Sequence, residues 1–303
     1  MLEIIDLEKS YGKVRALDHV SLTIREGEIF GVIGQNGAGK TTLLKIVAGL
    51  LCPDKGKVLL NGKDLTRNPD SYYEIGYVPD HYQLYDKLKV KEYLEFYAGL
   101  YRLDAKEMKQ WIPKVLASVQ LSEMGEWYVE NLSQGMRQRL CVARALLPDP
   151  KILIMDESSN GLDPKARVEF RENLRQLSEG KRTIIISSHM VSGLPDYCTS
   201  MGILEKGKII LEGSMDGIMQ EIKKNQPLMI EILGMADQAV AVLKANPCVR
   251  KISLDKNSFT VLFEGGELEE TGLLKDLVQA KVPVQKYYRE TGDLESRFLD
   301  LIS

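Results

Sequence analysis

Cysteine is scarce in this chain, and the four present, Cys52, Cys141, Cys198 and Cys248, stand far apart. With no CxxC pair and no Cys/His spacing suited to zinc, they read as free thiols of a reducing compartment. Runs of Lys and Arg are also missing, and the net charge is -3. The electrostatic footprint of a nucleic-acid binder is therefore absent, and nucleic acid is not expected as a partner. No apolar stretch approaches the roughly 18 residues a membrane helix needs; the strongest, such as Ile184 to Ile186, are strand-sized. Met1 to Ser10 lacks the basic-then-apolar build of a signal peptide, so a cytoplasmic protein is expected. Internal repeats and low-complexity tracts are lacking too. What is there is ordinary globular material, 44% hydrophobic and 27% charged over 303 residues, a length that suits one large core and one small one.

The opening segments alternate apolar and polar residues around turn signals at Tyr11-Gly12-Lys13 and Glu26-Gly27-Glu28, as short antiparallel strands do. Ile29 to Ile33 reads as a buried strand, followed by a Gly-rich loop and helical spacing from Leu43 to Leu50. From Val90 to about Tyr128 the pattern is helical, with Tyr93, Leu94, Tyr97 and Leu100 on one face and Leu116 to Leu121 opening a further turn. Together with a helix from Ser133 to Leu147, stopped by Pro148, this marks an inserted helical subdomain at about 80–147. Ile152 to Met155 and Thr183 to Ile186 are further buried strands, and the alternation of strands and helices predicts a parallel α/β core. The pattern changes near Gly217, which sets domains at 1–217 and 218–303. The second carries strands at Leu228–Leu233, Val249–Leu254, Ser258–Glu264 and Val282–Tyr288, with helices at Ala236–Ala245 and Leu268–Ala280. That β-α-β-β-α-β order predicts a ferredoxin-like α+β module, with Leu294 to Leu301 as an added helix.

Chemistry concentrates in the first domain. Gly34-Gln35-Asn36-Gly37-Ala38-Gly39-Lys40-Thr41-Thr42 satisfies GxxxxGK[ST] between a strand and a helix. Such glycines let backbone N–H groups curl inward as an anion nest at the positive end of the helix. Lys40 can reach the β- and γ-phosphates of a nucleotide, and the Thr41 hydroxyl can ligate magnesium. Asp156 closes an apolar strand at the ligand-binding edge of a parallel sheet and suits magnesium through a bound water. Glu157 follows and could orient or deprotonate an attacking water, although an acidic pair after a buried strand also serves as a helix N-cap. Ser133 precedes a helix that carries Gly135 in its first turn. It is either an ordinary N-cap or a second anion site, and a second site far from the first would suit a phosphate held by a neighbouring chain.

Five motifs, Gly34 to Thr42, Leu132 to Met136, Ile152 to Glu157, Gly161-Leu162-Asp163 and His189, stand in the order and approximate spacing of the ATP-binding cassette ATPases. The resemblance covers about Leu2 to Gly213. It implies a P-loop NTPase cassette that binds ATP and Mg2+, pairs with a second cassette (a copy of itself or a paralogue) and serves a transmembrane permease from the inner face of the cell membrane. Ser133, Gln134, Gly135 and Met136 then resemble the signature motif that contacts the γ-phosphate held by the opposite subunit. Asp163 resembles the D-loop residue, His189 the switch histidine, and Tyr11 the aromatic that stacks on adenine. Gln134 and Met136 depart from the commoner Gly and Gln, and Ser158-Ser159 from the commoner Pro-Thr; none of these removes a catalytic group. Asp80, in Tyr77-Val78-Pro79-Asp80, occupies the position of the Q-loop glutamine. The signature Met and the C-terminal extension are similar to the exporter branch that handles drugs, lipids or polysaccharides. The alternative within the superfamily is a soluble ATPase of translation or DNA repair, whose members usually carry two fused cassettes or a long coiled-coil insertion, neither found here.

Overall fold

The computed structural model describes residues 1–81, 83–158, 163–179, 182–190, 193–224 and 227–289. It divides into two compact units, Met1–Met215 and Asp216–Ser303. The expected helix at Leu294 to Leu301 and the pair Gly161-Leu162 lie outside the described residues.

In the first unit, β1 (Leu2–Tyr11) and β2 (Val14–Ile24) form an antiparallel hairpin that continues through β4 (Lys55–Leu60) and β5 (Lys63–Asp64), in the order β2-β1-β4-β5. The alternation read from the sequence reflects this sheet, buried on one face only. A second sheet combines β3 (Ile29–Ile33), β6 (Ile75–Val78), β7 (Ile152–Met155), β8 (Thr183–Ser188), β9 (Ser200–Glu205) and β10 (Lys208–Ser214) in the order β10-β9-β3-β8-β7-β6. Every pairing from β9 to β6 is parallel, and β10 adds an antiparallel edge. The parallel strands β3, β7 and β8 are buried throughout, which is why they read as unbroken apolar runs.

The expected helical region resolves into α2 (Val90–Leu100), α3 (Ala105–Ser118) and α4 (Gln134–Leu146). Leu116 therefore ends a helix rather than opening one, because the start of α3 is set by a reciprocal cap. Asp104 accepts from the Lys106 and Glu107 amides while Glu107 accepts from the Asp104 amide. Helix α5 (Pro164–Glu179), which apolar spacing did not mark, lies between β7 and β8.

In the second unit, β11 (Leu228–Ile232), α7 (Ala236–Ala245), β12 (Val249–Asp255), β13 (Ser258–Phe263), α8 (Glu267–Gln279) and β14 (Val284–Arg289) follow α6 (Met215–Lys224). The sheet order β12-β13-β11-β14, antiparallel throughout, is the ferredoxin-like arrangement expected from the element order. Its core joins Ile230, Phe259, Val261 and Phe263 to Leu243 and Leu273 of the two helices.

Candidate active site

Parallel neighbours deliver their C-terminal ends to one edge, and here the register does so residue by residue. Ile33 pairs with Ser188 and Met155 with Ile186. The loop after β3, the acidic pair after β7 and the histidine after β8 therefore converge.

The loop after β3 is shaped by what cannot fit. A Cβ on Gly34 would lie 2.2 Å from the Leu204 carbonyl oxygen, and Gly39 combines φ +110 with a Cβ position 2.3 Å from the Ala16 carbonyl. Only glycine allows that approach. The loop is braced from outside: Gly207 N–H donates to Ala38 O, and Asp18 N–H donates to Gly207 O. Helix α1 (Lys40–Val47) starts at Lys40, three residues before the expected apolar start, since Gly39 breaks into the left-handed region immediately ahead of it. No side chain caps this N-terminus, and no acidic residue occupies its first turn. Its amides thus form a positive end open to an anion. Within the loop, Asn36 and Gly37 are exposed; at the helix start Thr41 is exposed and Thr42 half-buried.

Lys40 is buried, and its three N–H donors match three acceptors: Gly34 O at 2.7 Å, Gln35 O at 3.2 Å and Glu157 Oε1 at 3.0 Å. The other Glu157 oxygen, Oε2, lies 2.9 Å from His189 Nδ1. A carboxylate only accepts, so the proton of that contact belongs to Nδ1. Glu157 sits at φ 48, a conformation costing a residue with a Cβ roughly 1–2 kcal/mol. Its amide donates to Ser187 Oγ at 2.8 Å, and that hydroxyl donates to Asp156 Oδ1 at 2.6 Å. Asp156 Oδ2 accepts from the Tyr77 hydroxyl at 3.2 Å. Burial, reinforced by the nearby Asp156 carboxylate, pushes the Tyr77 phenol well above its ordinary pKa, so it stays a donor at neutral pH.

Lys40, the adjacent pair Asp156 and Glu157, and His189, from three separate stretches of sequence, thus form one hydrogen-bonded group. Ser187 and Tyr77 belong to it as well, and sequence reasoning did not single them out. The available signal was a hydroxyl directly after the aliphatic run Ile184 to Ile186.

The remaining expected residues have their contacts elsewhere. Ser133 is the N-cap of α4, its Oγ accepting from the Met136 amide at 3.3 Å; Ser133 and Gln134 are exposed, Gly135 and Met136 half-buried. Both readings of Ser133 are compatible with this cap, since the first turn of α4 also lacks an acidic residue. Asp163 accepts from the Ala166 amide at 2.9 Å at the start of α5. Tyr11 is half-exposed at the tip of the β1–β2 hairpin, its ring 5.9 Å from Lys9 Nζ. Asp80 lies beyond β6, its Oδ2 3.6 Å from His81 Nε2.

A sheet edge with this loop, this Lys and this acidic pair can hold a nucleotide's phosphates, and likeness to known proteins agrees with it. The family model described as ABC transporter matches residues 17–160. The chain is 33% identical to the Nod factor export ATP-binding protein I of Rhizobium sp. (strain N33), over 84% of its own length and 83% of that protein's. The chain belongs to the ABC transporter family. It is also 28% identical to the linearmycin resistance ATP-binding protein LnrL of Bacillus subtilis (strain 168), over 99% of this chain and 98% of that one, so the likeness continues through the C-terminal module. Its cassette is similar to that of MJ0796 in a dimeric post-hydrolysis state bound to ADP and Pi, with TM-score 0.63 and 26% identity over 71% of this chain and 99% of that one. This ABC chain is an ATP-binding, ATP-hydrolysing subunit that powers transport. ABC subunits of this kind dimerise and work with transmembrane components. Among the described residues, no helix is long and apolar enough to cross a membrane.

Proposed function

We propose that this chain powers export through a separate transmembrane permease, as one of a pair of cassettes on the cytoplasmic face of the membrane. The observation that carries the reading is the chain Lys40–Glu157–His189, with Lys40 and Glu157 buried, beside the uncapped start of α1. The direction of transport is supported by the names of two relatives, one an export protein and one a resistance protein.

In this reading the amides of Gly34 to Thr42 and the Lys40 ammonium bind the phosphates of ATP. Lys40 then exchanges its bond to Glu157 for one to phosphate, which frees Glu157 Oε1 to accept a proton from water as it attacks the γ-phosphorus. The bond from the γ-phosphorus to the bridging oxygen breaks, and ADP leaves with the electron pair. His189 holds the reacting group from the other side of Glu157. Mg2+ fits the donor set: Asp156 is oriented by two hydroxyl donors, and the Thr41 hydroxyl is exposed in the first turn of α1. Bound there, the ion would neutralise phosphate charge. Ser133 to Met136 would present the start of α4 to the nucleotide of the second cassette, an identical chain or a paralogue, with Asp163 at the same interface. Tyr11 would stack on adenine, and Asp80 would stand where site and permease communicate. Residues 1–217 would be the ATPase and 218–303 an accessory module that regulates it or adds dimer contact.

Glu157→Gln tests the core of this. ATP binding should persist and ATP-bound dimers accumulate, while turnover falls by roughly 10² to 10⁴. Full turnover would remove Glu157 from the role. Truncation after Gly213 tests the module, through ATPase rate and dimer affinity; if neither moves, it is an appendage.

A further inference from the structure

Ser187 follows three isoleucines on β8 and, like them, is fully buried. An aliphatic side chain would suit that position in a parallel sheet. The hydroxyl found there is used twice. It accepts the Glu157 amide at 2.8 Å, which commits a lone pair, and its single proton goes to Asp156 Oδ1 at 2.6 Å. One oxygen atom therefore ties two consecutive residues whose carboxylates point to different tasks.

The tie matters because Glu157 is not in a relaxed conformation. At φ 48 its peptide plane is turned out of the extended path of β7, and its side chain leaves the strand toward Lys40 and His189. The amide bond to Ser187 fixes that plane. The bond to Asp156 Oδ1 fixes the neighbouring carboxylate against the same reference. Tyr77 holds the second Asp156 oxygen but makes no bond to Glu157 among the hydrogen bonds of the described residues. Ser187 thus couples the pair where Tyr77 holds only one member.

We propose that Ser187 is a positioning residue for hydrolysis, setting the aim of Glu157 relative to Asp156 without touching substrate. The inference rests on the roles given above to Asp156 and Glu157. It differs from a purely structural role in what it leaves alone: nucleotide binding draws on α1 and Lys40, to which Ser187 makes no hydrogen bond among the described residues.

The test is steady-state ATP hydrolysis by the full-length chain carrying Ser187→Ala, with MgATP as substrate and magnesium in saturating excess so that the bond to Asp156 does not limit the ion, beside a thermal unfolding curve. Turnover should fall about tenfold, the equivalent of one hydrogen bond, with KM for ATP within about twofold of the parent. Ser187→Thr keeps the hydroxyl and should restore most of the loss. In a Glu157→Gln background, where there is no carboxylate to aim, single-turnover hydrolysis should be nearly indifferent to Ser187→Ala. Unchanged turnover in Ser187→Ala, a loss that only follows a lowered melting temperature or raised KM, a folded Ser187→Thr that fails to recover, or an equal loss in the Glu157→Gln background each overturns the proposal. The assignment beneath it fails separately: Glu157→Gln alone would then turn over at the parent rate.

Discussion

The two compact units bury different things. All eleven buried polar or charged side chains of the described residues, from Glu8 to Ser200, lie in the first unit. The second unit's core among the described residues is apolar throughout, and the best-enclosed ion pair among them, Arg289–Glu270 at 2.7 Å, keeps some exposure. A core that only has to hold a shape is best built from side chains without polar atoms. Buried charge stabilises poorly for its desolvation cost, which fits the chemical role proposed for Lys40, Asp156 and Glu157.

If that contrast is sound, stability and turnover should come apart in the first unit. Lys40→Met leaves the Glu157 carboxylate buried without its ammonium partner, which should cost about 3–5 kcal/mol and remove ATP binding. Adding Glu157→Gln removes the charge that Lys40 had balanced. Chemical denaturation should then recover much of the stability, while turnover stays lost. A double variant no more stable than Lys40→Met would show that the pair is structural after all.

The second unit should behave in the opposite way. Phe259 is fully buried in its apolar core, and Phe259→Ala should cost about 3–5 kcal/mol. Hydrogen exchange should find the lost protection confined to the strands and helices between Leu228 and Arg289, with α1 and β8 protected as before. Loss of protection around Lys40 would break the comparison by showing that the units unfold as one.

A smaller effect is expected at Tyr77. Tyr77→Phe keeps the ring and removes the donor to Asp156 Oδ2. The cost of one such bond is about 0.5–1.5 kcal/mol, or two- to tenfold in the magnesium concentration that gives half-maximal hydrolysis. An unchanged magnesium dependence would separate Asp156 from the ion.

These sites differ in how far the sequence disclosed them. Strands β3 and β7 were legible to the residue because a strand buried on both faces is a plain apolar run. The P-loop was legible because its glycines answer to steric contacts only glycine tolerates, as at Gly34 and Gly39. The start of α3 was not, since a cap between Asp104 and Glu107 sets it rather than apolar spacing. Ser187 and Tyr77 were missed for a different reason: their importance lies in register. Only the pairing of Met155 with Ile186 brings the end of β7 level with the serine of β8. Asp156 and Glu157 were open between capping and catalysis, and the contacts of Lys40 and His189 with the Glu157 carboxylate support the catalytic reading proposed here. In the second unit no polar constellation offered itself, and its legibility ended at the fold.

The smallest effect expected comes from thiols that take no part in the chemistry. Burial pushes the Cys141 and Cys198 thiols of the first unit up to about 12, while Cys52 is exposed. A thiol ionises at about 8.5 once unfolded, so the unfolded chain loses these protons first as pH rises. Their contribution to stability is therefore complete below that value and declines as pH climbs toward 12. In native chain at pH 8 a thiol reagent should label Cys52 promptly and the half-buried Cys248 more slowly. Cys141 and Cys198 should react only on unfolding. Early labelling of Cys198 would mean that the first unit opens beside Gly31, whose Cβ position lies 3.3 Å from that sulfur, and would place the weakness of the fold in the very sheet that carries its chemistry.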